Sequence, residues 1–500
     1  MDSSWTLTDQ ASWLIHHEPD AAKRELLLKM LPVNTCTQVT ALKRLLSANG
    51  SRFYKQVSSG FGSGSNQHPF RPIDALQRDY RLQDDWYFFS GVVKTATTES
   101  PRIYGFTVMF FSDPIGGDRP DAVDYACETA MLLFTNVTEQ KVFQSPIEKA
   151  VASSLLTRRA PFLFQHPTGN FSIQGGNSTN PIFPLTLKAV DTANNITLQL
   201  TLTPTFDETK PLFQGDSTGY VGAAGMGYRY YSYPCLKTTG TVTTTGATPE
   251  AVTGVTWMDH QNGTVGRIPH LIPWRLLVDA TQLFKPPRTT NVGWNWFAIM
   301  LDNSMSLAAS TPRNVDSKTG QEILETGPVS ASYVSLQLPD GTSRPFQGKL
   351  TIQVEYGGGG QGGSYVIGAH FVGHDAELGD LDLVSKSLMP GMASAGWLPP
   401  MIPFSETPAA VSGTIGGVTR NGIGMLESVG VTDRYHLFAN ILQLAGLPAT
   451  PQTVEILSVA DFKTAQREGW VAVVSLITVI VLLVWFFRTR RRGVAVAVAP

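Results

Sequence analysis

Cysteine is scarce: Cys36, Cys127 and Cys235 are the only three in 500 residues, far apart and odd in number. They spell neither a disulfide framework nor a zinc site, so buried free thiols in a reducing compartment are expected. An excess of charge of one sign is also missing. Lys+Arg 38 against Asp+Glu 40 leaves a formal net charge of -2, with no global field to attract nucleic acid. There is no Walker loop, no dinucleotide fingerprint after a strand, and no G-x-S-x-G elbow. GGGGQGG at Gly357 to Gly363 lacks the strand-to-helix context a phosphate-binding loop needs and reads as a loop. ATP, NAD and serine-hydrolase chemistry are therefore set aside. His370 and His374 stand four apart near Asp375 and Glu377, but they follow a strand where a metal pair at that spacing needs a helix. No metal is assigned, and His16-His17 reads as a solvated pair.

What is present is material for a large β-rich core. The chain is 42% hydrophobic and 10% aromatic, which excludes a disordered or fibrous protein, and its length allows several domains. Gly 46 and Pro 32 suit short strands joined by many turns. Strand text runs through 86–93, 104–111, 196–202, 252–257, 297–301, 333–338, 349–356 and 365–371. In NITLQLTLTP, Ile196, Leu198, Leu200 and Leu202 share one face. Asp340-Gly341 and Asn421-Gly422 read as turns. Such a series predicts antiparallel barrels or sandwiches. Helical text is confined to the ends. Asp20 caps AAKRELLLKML, a second short helix is expected over 41–46, and HLFANILQLAGLP follows Val431. SSGFGSGSNQ, Ser58 to Gln67, reads as a flexible linker that leaves the opening helices as an appendage.

The longest uncharged stretch is WVAVVSLITVIVLLVWFF, Trp470 to Phe487, followed by Arg488, Arg490, Arg491 and Arg492. It is long enough to span a bilayer as a helix, with Trp470 and Trp485 as interfacial anchors. The opening residues carry no secretory signal pattern, so insertion as a tail anchor with a cytosolic large domain is expected. The arginine cluster, and sequons at Asn49, Asn136, Asn170, Asn177, Asn195 and Asn262, point the other way.

Aromatic and polar residues then cluster within strands, in an order that carries a family signature. DWYFFSG at Asp85 to Gly91 resembles the opening strand of the carotenoid hydratase and attachment-protein (AttH/CrtC-like) family, with Tyr87 where a second Trp is usual. YGFTVMFF, KPLFQGDSTGY, YRYYSYPCLKTTGTV, TWMDHQ and GWNWFAIMLDN follow between Tyr104 and Asn303 in the family's order. SETPAAVSGTIGG and GIGMLESVG, near Glu427, resemble its closing strands. The resemblance covers Phe70 to Val431, and the family includes fungal Diels–Alderase-type cyclases. One departure bears on the substrate: Asn262 stands where the family usually places a Trp.

The resemblance implies two lipocalin-like antiparallel β-barrel domains, no cofactor, and a lipophilic small molecule as ligand. The resemblance and the composition outside it together divide the chain into a helical appendage (1–57), a linker (58–67), an N-terminal domain (68–250) and a C-terminal domain (251–432). A helical connector (433–469), a transmembrane helix (470–487) and a basic tail (488–500) complete it. The expected activity is that of a membrane-anchored hydratase or cyclase acting on an isoprenoid or polyketide. The alternative is a lipophile-binding or structural membrane protein with the same fold. Asp259 and His260 are the candidate catalytic pair, and Trp86, Tyr230, Trp257, Trp294 and Trp296 the candidate substrate wall. Strand alternation puts Asp259 and His260 on opposite faces, so both reach one pocket only if the strand ends or bulges there.

Overall fold

A computed structural model of the chain describes residues 6–46, 84–264 and 289–429 with short breaks, and a few isolated positions beyond them. The linker, nearly all of the helical connector and the basic tail lie outside the described residues. So does the apolar run 470–487, apart from Thr478. Among the described residues, no helix is long and apolar enough to cross a membrane.

Three helices open the chain: α1 (Leu7–His16), α2 (Ala21–Leu28) and α3 (Cys36–Leu46). Asp20 caps α2 as its sequence implies, its side chain accepting from the Lys23 amide. Thr6 and Asp9 form a reciprocal capping box on α1. Leu14, Ile15, Leu27, Val39 and Leu42 bury one face of the three against each other and against Tyr125, Cys127, Leu442 and Leu447. The helices are thus a packed layer, which corrects their reading as an appendage.

The cysteine reading is corrected as well. Packing of α3 on the strand Tyr125–Asn136 brings Cys36 and Cys127 to a Cα separation of 4.9 Å, and they form a disulfide. Cys235 is the free, buried thiol.

Among the described residues the strands form two antiparallel sheets, one thirteen-stranded and one twelve-stranded. Their ladders share a plan. In the first, the opening strand Asp84–Thr95 pairs with its successor Ile103–Ile115 on one side and with the sheet's last strand, Glu250–Thr264, on the other. In the second, Thr289–Leu301 pairs with Ser306–Asp316 and with the last strand, Val418–Val429. Each sheet therefore curls so that its first and last strands meet. The strand Glu250–Thr264 closes the first sheet, so the division between the two falls after Thr264 and not at 250/251.

Local sequence follows from which faces are covered. Leu185–Asp191 and Ile196–Thr203 have one wet face and alternate buried with exposed residues. Tyr125–Asn136 is buried on both faces, and its centre, Ala130 to Phe134, is apolar without alternation. One face of the first sheet holds a core of Tyr87, Phe89, Phe110, Leu132, Leu200 and Met258. The second sheet has its own core around Phe297, Ile299, Phe371, Leu383 and Leu426. Their remaining faces meet each other. Phe88, Met109 and Met131 of the first pack on Phe404 and Val429 of the second, and Trp257 packs on Trp296 and Met425.

Three local expectations change. Gly357–Gly360 and Gly363 extend a hairpin ladder in place of a free loop. Asn421-Gly422 lies inside a strand, and the turn before it is Gly416-Gly417, with φ of 57° and 75°. Gly215–Gly219 does carry the letters G-x-S-x-G, but it runs between two short strands, Leu212–Phe213 and Tyr220–Ala223, both paired to Met226–Thr243. The described residues that follow are strand, with no helix among them to make an elbow.

Candidate functional site

The layer between the two sheets contains a set of buried polar groups. Pairing fixes which residues face it. Ser90 lies opposite Trp257, Phe88 opposite Asp259 and Trp86 opposite Gln261. On the next strand Ser232 lies opposite Asp259 and Tyr230 opposite Gln261. Directly paired residues share a face, so all of these point toward the second sheet.

Asp259 is 2% exposed and accepts four hydrogen bonds. Its Oδ1 takes Ser232 Oγ at 2.5 Å, Trp257 Nε1 at 2.6 Å and Gln214 Nε2 at 3.2 Å. Its Oδ2 takes the Tyr230 hydroxyl at 2.8 Å, which among the described residues leaves one lone pair free. Burial raises the Asp259 pKa to about 7, against the pull of the four donors. Burial, and then the Asp259 charge, hold the Tyr230 hydroxyl well above the usual phenol range, so it remains a donor.

Gln214 ties this network to the other sheet. It sits on a strap, 210–215, that crosses between the sheets: the Phe213 amide donates to Ser343 Oγ at 2.8 Å and the Gly215 amide to Ser335 Oγ at 3.1 Å. Its amide nitrogen serves Ser232 and Asp259, while its oxygen accepts from Trp296 Nε1 at 3.2 Å and the Tyr333 hydroxyl at 2.9 Å. All four hydrogen-bonding positions of the side chain are filled, which fixes its orientation.

The second sheet answers with carboxyls of its own. Trp296 pairs with Glu427, and Glu427 with Glu406 on the adjacent strand Ile402–Ile415, so the three share the face toward the first sheet. Glu427 is half-buried and accepts from Trp294 Nε1 at 2.7 Å. Burial raises its pKa to about 8, the Asp259 charge adding to the effect. Glu406 is 1% exposed, and its Oε1 accepts from Ser90 Oγ of the first sheet at 3.2 Å. Burial and the charges of Glu427 and Asp259 hold it well above the carboxyl range. Among the described residues its Oε2 has no partner. The two sheets' plans coincide here: each places a carboxylate of its last strand opposite the second aromatic on that face of its first strand, Asp259 by Phe88 and Glu427 by Trp296.

The structure brings Asp259, Tyr230, Trp257 and Trp296 into one cluster, the two indoles edge to face at 5.6 Å. Trp86 lies on the same face, stacked on Phe111, and Trp294 lies at the rim, 36% exposed. His260 is excluded. The strand continues through Asp259 without a bulge, so His260 enters the first sheet's own core, stacked on Tyr87 at 4.1 Å and bonded to the Tyr231 hydroxyl at 2.9 Å. His370 and His374 lie on a different strand, each bonded to an aspartate, Asp382 at 2.8 Å and Asp380 at 2.7 Å. Gln214, Ser232, Ser90, Tyr333, Glu406 and Glu427 escaped the sequence reading. The available signal was an acid inside apolar strand text, in SETPAA and GMLESVG.

The AttH-like family profile matches residues 66–333. An AttH-type protein of Nitrosomonas europaea has a similar fold, at a TM-score of 0.51 and 17% identity, over 75% of this chain and 99% of its own. Kievitone hydratase of Nectria haematococca aligns at 0.46 and 15% identity, over 76% of this chain and 98% of its own. CghA, solved with Sch210972, aligns at 0.41 and 13% identity, over 70% and 89%. No curated protein matches the sequence. With more than half of its length matched by the profile and both sheets laid out on that fold, the chain belongs to the AttH-like family.

Proposed function

We propose that the chain is a cofactor-free enzyme of hydratase or cyclase type, acting on a lipophilic isoprenoid or polyketide in the layer between its two sheets. The observation that carries this is Asp259: a fully enclosed carboxyl near neutral pKa, bonded to Tyr230 and walled by Trp257, Trp296 and Phe88. Acid–base chemistry at an isolated double bond needs a proton-exchanging group that works near neutral pH and aromatic faces to stabilise the cation it generates. Both are within one cluster. A lipophile-binding protein without chemistry is the second reading, favoured by the three donors that saturate Asp259 Oδ1.

Deuterium exchange separates the two. Full-length protein is purified, its co-purifying lipophile is extracted and identified by mass spectrometry, and the complex is incubated in deuterium oxide. We expect deuterium on carbon of the lipophile with the native protein, and a loss of about 10²- to 10⁴-fold in Asp259→Asn. A native complex that holds its lipophile but exchanges nothing sinks the enzyme reading and leaves the binding one.

The same proposal includes a single C-terminal membrane anchor at 470–487. Arg488 and its neighbours favour a cytoplasmic tail. The Cys36–Cys127 disulfide favours an oxidising compartment for the sheets, which reverses the cytosolic expectation. In sealed vesicles with the cytosolic face outward, added protease should leave the sheets intact. Their digestion before detergent is added would place them in the cytosol.

A further inference from the structure

We infer that Glu406 is the proton donor of this site, with Glu427 as its proton-sharing partner and Asp259 as the opposing base. The inference rests on the acid–base reading of the layer between the sheets and adds the catalytic groups of the second sheet to it. Three features of the geometry carry it.

The first is adjacency. Glu406 and Glu427 are direct cross-strand neighbours on one face, where side chains stand about 5 Å apart. Asp259 faces them from the other sheet. Three carboxylates in one enclosed layer cannot all be ionised, so the layer retains protons at neutral pH and its carboxyls titrate as a set.

The second is inequality of partners. Asp259 has four donors and is the member best held as an anion. Among the described residues Glu406 has a single donor, Ser90, and an Oε2 without a partner, at 1% exposure. A buried oxygen without a partner is costly, and a protonated oxygen free to point at a substrate is one arrangement that uses it. The third is placement. Phe404 and Pro408, two residues either side of Glu406, share its face, and Phe404 packs with Phe88 and Val429 in the apolar wall.

For a hydration the step balances as follows. The Glu406 O–H bond breaks and its proton forms a C–H bond with the alkene π pair, leaving a cation beside the aromatic rings. A water oxygen forms the C–O bond, and the proton that water loses goes to the free lone pair of Asp259 Oδ2. One water is added in total. The proton returns from Asp259 to Glu406 by way of solvent and Glu427 as product leaves.

The test uses a diazoacetyl norleucine methyl ester, which esterifies protonated carboxyls: the carboxyl proton moves to the diazo carbon, nitrogen leaves, and an oxygen–carbon bond forms. Full-length protein treated at neutral pH is digested and mapped by mass spectrometry. We expect the ester on Glu406 and its absence in Glu406→Gln. Among the described residues the groups facing Glu406 are Glu427 beside it and Asp259 across the layer, with Ser90 its one donor. Ser90 holds the Glu406 pKa down, so in Ser90→Ala the labelling should persist to higher pH. Glu406→Gln should keep its lipophile yet lose at least about a hundredfold in deuterium exchange. An unlabelled Glu406, or a folded Glu406→Gln that exchanges at the native rate, overturns this inference; a concurrent loss in Asp259→Asn still upholds the acid–base reading. If Glu406→Gln fails to fold, an unshifted labelling range in Ser90→Ala overturns it instead. No exchange in the native protein ends both.

Discussion

The native protein should melt at progressively lower temperature as pH rises from about 5 to about 8, and Asp259→Asn should flatten that slope. The direction follows from where the protons bind. Asp259 ionises at about 7 in the folded chain against an ordinary value of 3.8, so the native state holds its proton more tightly than the unfolded one. Stability from such a group is fully present below the unfolded value and is lost as pH rises through the folded value. For Asp259 that loss is about 4 kcal/mol, at about 1.4 kcal/mol per pH unit between 3.8 and about 7. Glu427, raised from 4.5 to about 8, and Glu406, raised further by burial and by its neighbours' charges, act in the same direction. Total stabilities of about 5–15 kcal/mol make a loss of this size easy to read in thermal scans at successive pH values. In Asp259→Asn the amide oxygen takes the Oδ1 position among Ser232, Trp257 and Gln214, and the amide nitrogen then meets the Tyr230 hydroxyl, which donates to Oδ2 in the native chain. The variant should therefore be less stable than native at pH 5 and approach or pass it by pH 8. A native melting curve that is level or rises over this range would show these carboxyls to be ionised throughout.

Much of the fold was legible because β-sheets print their burial in the sequence. Leu198, Leu200 and Leu202 alternate since one face is wet, whereas YGFTVMFF does not, since both faces are covered. The same period of two already argued against His260 as Asp259's partner in one pocket. The pairing needed a bulge at Asp259, and the bulge lies instead on the neighbouring strand between Tyr233 and Leu236, where Cys235 adopts a φ of 55°. Glu406 and Glu427 were not legible in this way. A lone acid in a strand reads as a solvated outer residue until the second sheet is placed over it. Gln214 was hidden in a strap with no periodicity, and only its contacts to both sheets mark it. The division between the sheets was misplaced for a related reason: the last strand of each sheet returns to its first, and nothing in TWMDHQ says which opening strand it will meet.

Reducing the Cys36–Cys127 disulfide should cost about 4–5 kcal/mol, because it closes a loop with a sequence separation of 91 in the unfolded chain. This expectation was invisible in the sequence, where the two cysteines are distant and a third is spare. Burial of Leu14, Ile15, Leu27, Val39 and Leu42 holds the helices as well, but a layer this small contributes a limited core by itself. The Cys36→Ser, Cys127→Ser variant should therefore lose its helical layer before its sheets. Limited proteolysis should cut within 6–46 at denaturant concentrations where the native chain resists, while the far-ultraviolet β signal persists. The loss reaches the candidate site through one strand. Tyr125 and Cys127 stand on the same face of Tyr125–Asn136 as Met131 and Leu133, which line the layer between the sheets. Release of the helices uncovers that face at the beginning of the strand. Binding of an apolar fluorescent dye should then rise, and the protection of Asp259 from solvent should fall with it. If the variant melts as the native protein does and resists the same protease, the helices are held by their apolar contacts alone and the disulfide carries no share of the fold.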